Sequence, residues 1–208
     1  MQVLLPIFYG AALGAALAVP ARLLSGLLLK RRGFEAQMER RHFLIMLAAM
    51  TLTGGVIGWR AGVTFRGLYL LLLLLVSACA FCIVAKHRVI PNELWLAVLA
   101  FALAFGIPGA LKFQIWQSLL GFAVCFVIFF IPSLFGQKIG AGDVKLAAAM
   151  GFALGLTGSL YAIACMGALV LLYAVLDQSM PLPQRLKTMI PMGPFLALAL
   201  VAMSIILV

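Results

Sequence analysis

Charge is scarce in this 208-residue sequence, in which charged residues make up 10% of the chain and hydrophobic residues 66%. The apolar residues form long blocks instead of the spaced stripe of an amphipathic helix, which excludes an ordinary soluble domain. The net charge of +10 does not indicate nucleic-acid binding, because that function needs basic residues gathered on a water-facing surface. Here the basic residues lie between the apolar blocks, as they do in the cytoplasmic loops of membrane proteins.

Cysteine is also scarce, and its positions exclude an obvious metal or redox site. The four cysteines, Cys79, Cys82, Cys125 and Cys165, all lie inside apolar blocks. Cys79 and Cys82 have the CxxC spacing of a metal or redox site, but no second pair completes one. Because free cysteine behaves as a small buried hydrophobe, we predict that all four serve packing. We expect no metal and no cofactor.

The apolar blocks predict about eight transmembrane helices, because each crossing of a bilayer core about 30 Å thick needs about 20 apolar residues. The predicted spans are 3–29, 43–59, 67–85, 91–111, 116–136, 143–156, 158–176 and 189–207. No cationic segment precedes the first span, so we expect no cleaved signal peptide and retention of the first helix. The sequence thus predicts one all-α domain over residues 1–208, a polytopic membrane helix bundle.

The basic residues also predict the orientation of the bundle. If the N-terminus lies outside, the cytoplasmic connections carry Lys30, Arg31, Arg32, Arg40, Arg41, Lys86, Arg88, Lys138, Lys145, Arg185 and Lys187. The outer connections then carry only Arg60, Arg66 and Lys112. This asymmetry follows the positive-inside rule. All five acidic residues then fall at or near the cytoplasmic face, namely Glu35, Glu39, Glu93, Asp143 and Asp177.

The most informative stretch is IGAGDVKLAAAMGFALGL, in which Asp143 precedes a short apolar helix. A helix of about thirteen residues is roughly 20 Å long, so its start is expected below the membrane surface. An ionisable group at that depth is a functional-site candidate. Helix capping alone would also explain an aspartate there. It would not explain Gly140 and Gly142, which leave room for the backbone of an extended substrate to approach.

Two further stretches each predict the start of a helix. In AKHRVIPNELW, Ile90 precedes Pro91 and Asn92, so the chain is expected to break there before a new helix begins. In IPMGPFLALAL, Gly193 and Pro194 mark the entry to the last helix. Neither stretch indicates a function by itself.

Together and in this order, the three stretches resemble the prepilin leader peptidases, which are membrane aspartic proteases of the GxGD type. The GxGDxKL motif of the family is matched by Gly140, Gly142, Asp143, Lys145 and Leu146. The IPN turn and the closing PxGPFLAL-like segment are matched by Ile90, Pro91, Asn92, Pro191, Gly193, Pro194, Phe195 and Leu196. The resemblance implies an aspartic endopeptidase of the bacterial inner membrane that cleaves the leader of type IV pilin or pseudopilin precursors at the cytoplasmic face.

One catalytic residue of that family is missing. The first of the two family aspartates lies six residues before the isoleucine of the IPN turn, a position held here by Val84. Lys86 matches the basic residue of the same motif, so the register is sound. Glu93 or Asp177 would have to replace the missing acid, and both are poorly placed for it. The chain is therefore an inactivated variant, a natural relative without proteolysis, or a peptidase with its second acid elsewhere.

The first cytoplasmic loop, KRRGFEAQMERRH, contains no cysteine. Many members of the family carry a larger segment there with paired CxxC motifs, associated with zinc and with N-methylation of the mature pilin. The chain is therefore expected to be the compact form, without metal or methyltransferase activity. Its expected partners are precursor helices and the lipid bilayer. Two alternatives are a non-catalytic pilin-helix-binding or assembly factor on the same fold and a small transporter, which would need polar residues along a path through the bilayer.

Overall fold

The computed structural model describes residues 4–34, 39–87, 90–106, 112–134, 140–176 and 192–206. Its elements are α1 (Leu4–Arg31), α2 (Arg40–Ala61), α3 (Phe65–His87), α4 (Asn92–Phe101) with a π-helical turn (Ala102–Gly106), α5 (Lys112–Leu134), α6 (Ala141–Leu176) and α7 (Met192–Ile206). These elements confirm the predicted all-α membrane helix bundle. The predicted residues Pro191 and Asp177 lie outside the described part of the chain.

The predicted count of about eight spanning helices is not confirmed. Among the described residues, five helices are long and apolar enough to cross a membrane, namely α1, α2, α3, α5 and α6, while α4 and α7 are shorter apolar helices. Two predicted spans, 143–156 and 158–176, form the single element α6, which is interrupted at Gly155 with φ 70° and ψ 179°. A positive φ of this kind is accessible to glycine because it has no Cβ.

Helices α1 and α2 pack through glycines that leave no room for side chains. A Cβ added to Gly54 would lie 2.5 Å from the carbonyl oxygen of Gly10 and 2.9 Å from the Cα of Gly14. A Cβ added to Gly10 would collide with the backbone of Gly54 and Gly58. The GAALG stretch at 10–14 therefore acts as a small-residue contact that lets two helix backbones touch.

Helix α3 lies at the centre of the bundle and contacts α1, α2, α4 and α7, while α6 packs against α4, α5 and α7. Leu73, Cys79 and Ile83 of α3 are almost completely buried. The Cys79 thiol donates a hydrogen bond to the Ala21 carbonyl oxygen at 3.4 Å, as expected of a packed cysteine. This arrangement brings one end of α3 against α7, which also packs against α6.

Candidate functional site

Asp143 lies in the first turn of α6 and takes part in capping that helix. Its backbone N–H donates to the Gly140 carbonyl oxygen at 2.9 Å, so the helix starts at this glycine. The carboxylate reaches back and accepts a hydrogen bond from the Gly140 backbone amide, as the third helical residue does in a capping box. A Cβ added to Gly140 would lie 3.2 Å from the Asp143 Oδ2 atom. The contact of the carboxylate with Gly140 agrees with the capping interpretation.

The other oxygen of Asp143 faces α7 and α3. A Cβ added to Gly193, in the first turn of α7, would lie 3.2 Å from Asp143 Oδ1 and 2.8 Å from Val84 Cγ1. Because both distances start from the same point, Val84 Cγ1 and Asp143 Oδ1 are at most about 6 Å apart. We call the meeting point of Val84, Asp143 and Gly193 the junction. Helices far apart in sequence therefore bring Asp143 next to the position where the resemblance lacks an acid.

Val84 fills its side of the junction with apolar atoms. It lies near the end of α3 and is only 2% exposed. Gly193 and Pro194 of α7 are buried as well. Pro194 lies in the first turn of its helix, where the missing N–H breaks no helical hydrogen bond. The junction is thus a tightly packed contact of three helices in which Asp143 supplies the ionisable side chain.

The IPN turn, residues 90–92, packs against the junction. Pro91 is fully buried and its carbonyl oxygen accepts the Leu94 N–H at 3.1 Å. A Cβ added to Gly142 would lie 2.9 Å from the Ile90 Cβ atom, and a Cβ added to Gly193 would lie 3.2 Å from Ile90 Cδ1. Ile90 therefore occupies the space beside Gly142 that the sequence suggested for a substrate backbone. Among the described residues, a Cβ added to Gly140 would meet Asp143 alone within 4 Å, so this glycine leaves more room than Gly142.

Lys145 and Asn92 lie at the surface beside the junction, and both interact with Trp95. The Lys145 Nζ atom lies 5.9 Å from the centroid of the Trp95 ring, a cation–π distance. The Trp95 Nε1–H donates to Asn92 Oδ1 at 3.3 Å. These contacts join the start of α6 to the start of α4. Sequence reasoning placed Lys145 and Asn92 in the motifs but did not find the tryptophan that connects them.

Further contacts hold the end of α1 against the same end of the bundle. Arg32 forms an ion pair with Glu93 at 3.5 Å between Nη2 and Oε2. The ring of Phe34 packs against the ring of His87, with centroids 4.8 Å apart. The His87 Nε2 atom is buried and has no hydrogen-bond partner among the described residues. The sequence offered no signal for these pairs, because their members lie far apart in the chain.

The described residues do not form a metal site. No group of three or more histidine, cysteine, aspartate or glutamate side chains could hold a metal ion in the part of the chain that the structure describes. Cys82 lies 3.3 Å from the sulfur of Met46, and all four cysteines are free thiols. Among the described residues of the junction, Asp143 supplies the carboxylate.

Comparisons with known proteins identify relatives of this chain. Residues 69–175 match the sequence model of the type IV leader peptidase family. This match covers Val84, the IPN turn and Asp143, and ends before Gly193 and Pro194. A protein named prepilin leader peptidase/N-methyltransferase from Stutzerimonas stutzeri is 28% identical over 177 residues, which cover 79% of this chain and 58% of that protein. The chain thus spans less than two thirds of this relative. No solved structure matches.

Proposed function

This chain belongs to the type IV leader peptidase family, and we propose that it has the architecture of an aspartic endopeptidase that removes the leader from type IV pilin or pseudopilin precursors. One observation carries the proposal. Val84 Cγ1 lies at most about 6 Å from Asp143 Oδ1, with Gly193 between the two side chains. An aspartate at position 84 has its carboxyl carbon at the γ position that Val84 Cγ1 now holds. Its oxygens would reach Asp143 directly or through one water.

Such a pair suits peptide hydrolysis. Two adjacent carboxylates share a proton, so that the charged one activates a water and the protonated one donates to the scissile carbonyl. A single carboxylate cannot serve as base and acid at once, and valine neither donates nor accepts a hydrogen bond. We therefore propose that the chain with Val84 does not cleave. Glu93 is a poor substitute for the missing acid because it is paired with Arg32.

The proposed location of the site is the cytoplasmic face of a bacterial inner membrane, with the N-terminus outside. The contacts Arg32 to Glu93 and Phe34 to His87 hold the basic end of α1 at the same end of the bundle as Asp143. That end also carries Lys30 and Arg31 in the last turn of α1. An excess of basic residues at one end supports its cytoplasmic placement.

Restoring the acid tests the proposal. The Val84→Asp chain, expressed in membranes with a pseudopilin precursor, is expected to release the leader at a rate at least about 10²-fold to 10⁴-fold above that of the unaltered chain, the usual contribution of a positioned acid or base. The measurement is the mass shift of the precursor. Val84→Asn is the matched control, because asparagine has the same shape and no acid. Adding Asp143→Asn to the restored chain is expected to abolish the cleavage again.

Two outcomes would contradict the proposal. Cleavage by the unaltered chain at the restored rate would mean that the second acid lies elsewhere. A folded Val84→Asp chain without cleavage would mean that the junction is not a peptidase site. Thermal unfolding of each purified variant in detergent establishes that it is folded.

A second candidate is a binding or assembly factor that holds a precursor helix without cutting it. The close apolar packing of Val84 at the junction favours this candidate, since the side chain is 2% exposed. Co-purification of an intact precursor with the unaltered chain, together with no cleavage after Val84→Asp, would support binding over proteolysis.

A further inference from the structure

A crevice lies at the end of the bundle opposite the junction. It is a cavity of about 270 Å³ between α1, α2 and α3, beside the turn that connects α2 to α3. Its lining includes Tyr9, Leu13, Ile57, Val63, Leu68 and Leu71. The first residues of α3 line the crevice, whereas Val84 lies near the other end of this helix. A helix of 23 residues is about 34 Å long. The crevice therefore belongs to the other membrane surface.

The rim of this crevice is basic. Arg60, in the last turn of α2, and Arg66, in the first turn of α3, flank the turn residues 62–64, which line the cavity. Both arginines are exposed. The carboxylates that the structure describes, Glu39, Glu93 and Asp143, lie at the starts of α2, α4 and α6, at the other end of the bundle. The charge of this rim thus favours an anionic ligand.

Aromatic side chains indicate that the rim lies at the level of lipid headgroups. Trp59 is 58% exposed and Phe65 is 83% exposed, and they flank the same turn. Tryptophan side chains of membrane proteins, such as Trp59, concentrate at the membrane–water interface. The crevice below them is lined mainly by apolar side chains. A ligand that fits this arrangement has a phosphate at the interface and a hydrocarbon chain beneath it.

We propose that the crevice binds an anionic phospholipid, with one acyl chain between α1 and α3 and the phosphate at Arg60 and Arg66. The lining accommodates hydrocarbon, and the two guanidinium groups can donate several hydrogen bonds to phosphate oxygens. Each basic residue near a membrane surface strengthens the binding of an anionic lipid about fivefold. The proposal does not depend on whether the junction cleaves precursors.

Fluorescence quenching locates the lipid. The full chain with Trp95→Phe and Trp116→Phe retains Trp59 beside the crevice as its remaining tryptophan. It is placed in detergent micelles with either phosphatidylglycerol or phosphatidylcholine, both brominated on the acyl chains. We expect phosphatidylglycerol to quench Trp59 at a severalfold lower mole fraction than phosphatidylcholine. Arg60→Gln with Arg66→Gln is expected to abolish this preference, because each arginine strengthens the binding of the anionic lipid by up to about fivefold.

Two further variants test separately whether the charge of the rim or the shape of the crevice determines lipid binding. Arg40→Gln with Arg41→Gln removes the same charge at the opposite end of α2 and is expected to leave the preference unchanged. Leu13→Phe fills the crevice without changing charge and is expected to reduce quenching even if the arginine variant does not fold. Equal quenching by both lipids, or an unchanged preference without Arg60 and Arg66, would overturn the proposal. So would loss of the preference on adding inorganic phosphate, because the rim would then bind free phosphate instead of a lipid.

Discussion

Glycine serves two different purposes in this bundle, at the α1–α2 interface and at the junction. At the interface, a Cβ added to Gly10 or Gly54 would strike the backbone of the facing helix. At the junction, a Cβ added to Gly193 would meet side-chain atoms of Val84, Asp143 and Ile90. The first kind of glycine sets the distance between two helices. The second kind leaves space in which side chains from other helices approach each other.

The difference matters because backbone and side chains respond differently to added volume. A helix backbone moves only as a unit, so an overlap with it must separate the helices. A side chain can rotate, so an overlap with it changes the position of that side chain first. Substitution at the interface should therefore affect stability, whereas substitution at the junction should affect geometry and hence activity.

Gly193→Ala in the Val84→Asp chain should show the largest effect on activity. The added methyl lies between the two acids, and a displacement of about 1 Å in a catalytic pair can lower the rate about 10²-fold. We expect kcat for precursor cleavage to fall by about that factor while the thermal unfolding midpoint changes little. A fall in stability without a change in kcat would show that Gly193 serves packing, like Gly54.

Gly54→Ala tests the other side of the comparison and should lower the free energy of unfolding by about 1–3 kcal/mol, the usual cost of overpacking. Gly55→Ala is the matched control in the same helix, because its Cβ would lie 3.6 Å from the Ala11 Cβ atom, an ordinary contact. We expect Gly55→Ala to be neutral or to stabilise by up to about 1 kcal/mol, since alanine favours helix. Unfolding in detergent with increasing sodium dodecyl sulfate measures both. Equal effects would remove the distinction between the two glycines.

Glu93→Gln should have the smallest effect. Its ion pair with Arg32 is partly exposed, with 48% of the Glu93 side chain accessible, and such pairs contribute about 0–1 kcal/mol. We expect a loss of stability within that range, smaller at high salt, and no change in cleavage by the Val84→Asp chain. A strong loss of cleavage after Glu93→Gln would instead make Glu93 part of the catalytic machinery.

The helix starts that surround the candidate site were predictable from sequence, but the contacts within it were not. The GxGD, IPN and GPF stretches indicated the starts of helices at one end of the bundle, and their order indicated the family. Gly142 is a position whose contacts the motif did not predict. Its place in the motif suggested room for a substrate, yet Ile90 fills that space. Motif spacing describes neighbours along the chain, whereas Ile90 meets Gly142 because α4 packs against α6.

The sequence by itself determined that this chain has apolar blocks of membrane-spanning length and that it resembles the leader peptidases in three stretches, and it predicted that Val84 stands where that family has an acid. Hydropathy and motif spacing are local properties, so no tertiary structure is needed to establish them. Only the tertiary structure decided that Val84 meets Asp143 across Gly193, and that α1 and α2 touch backbone to backbone. These contacts join residues far apart in the chain, and they exist only because whole helices pack against one another.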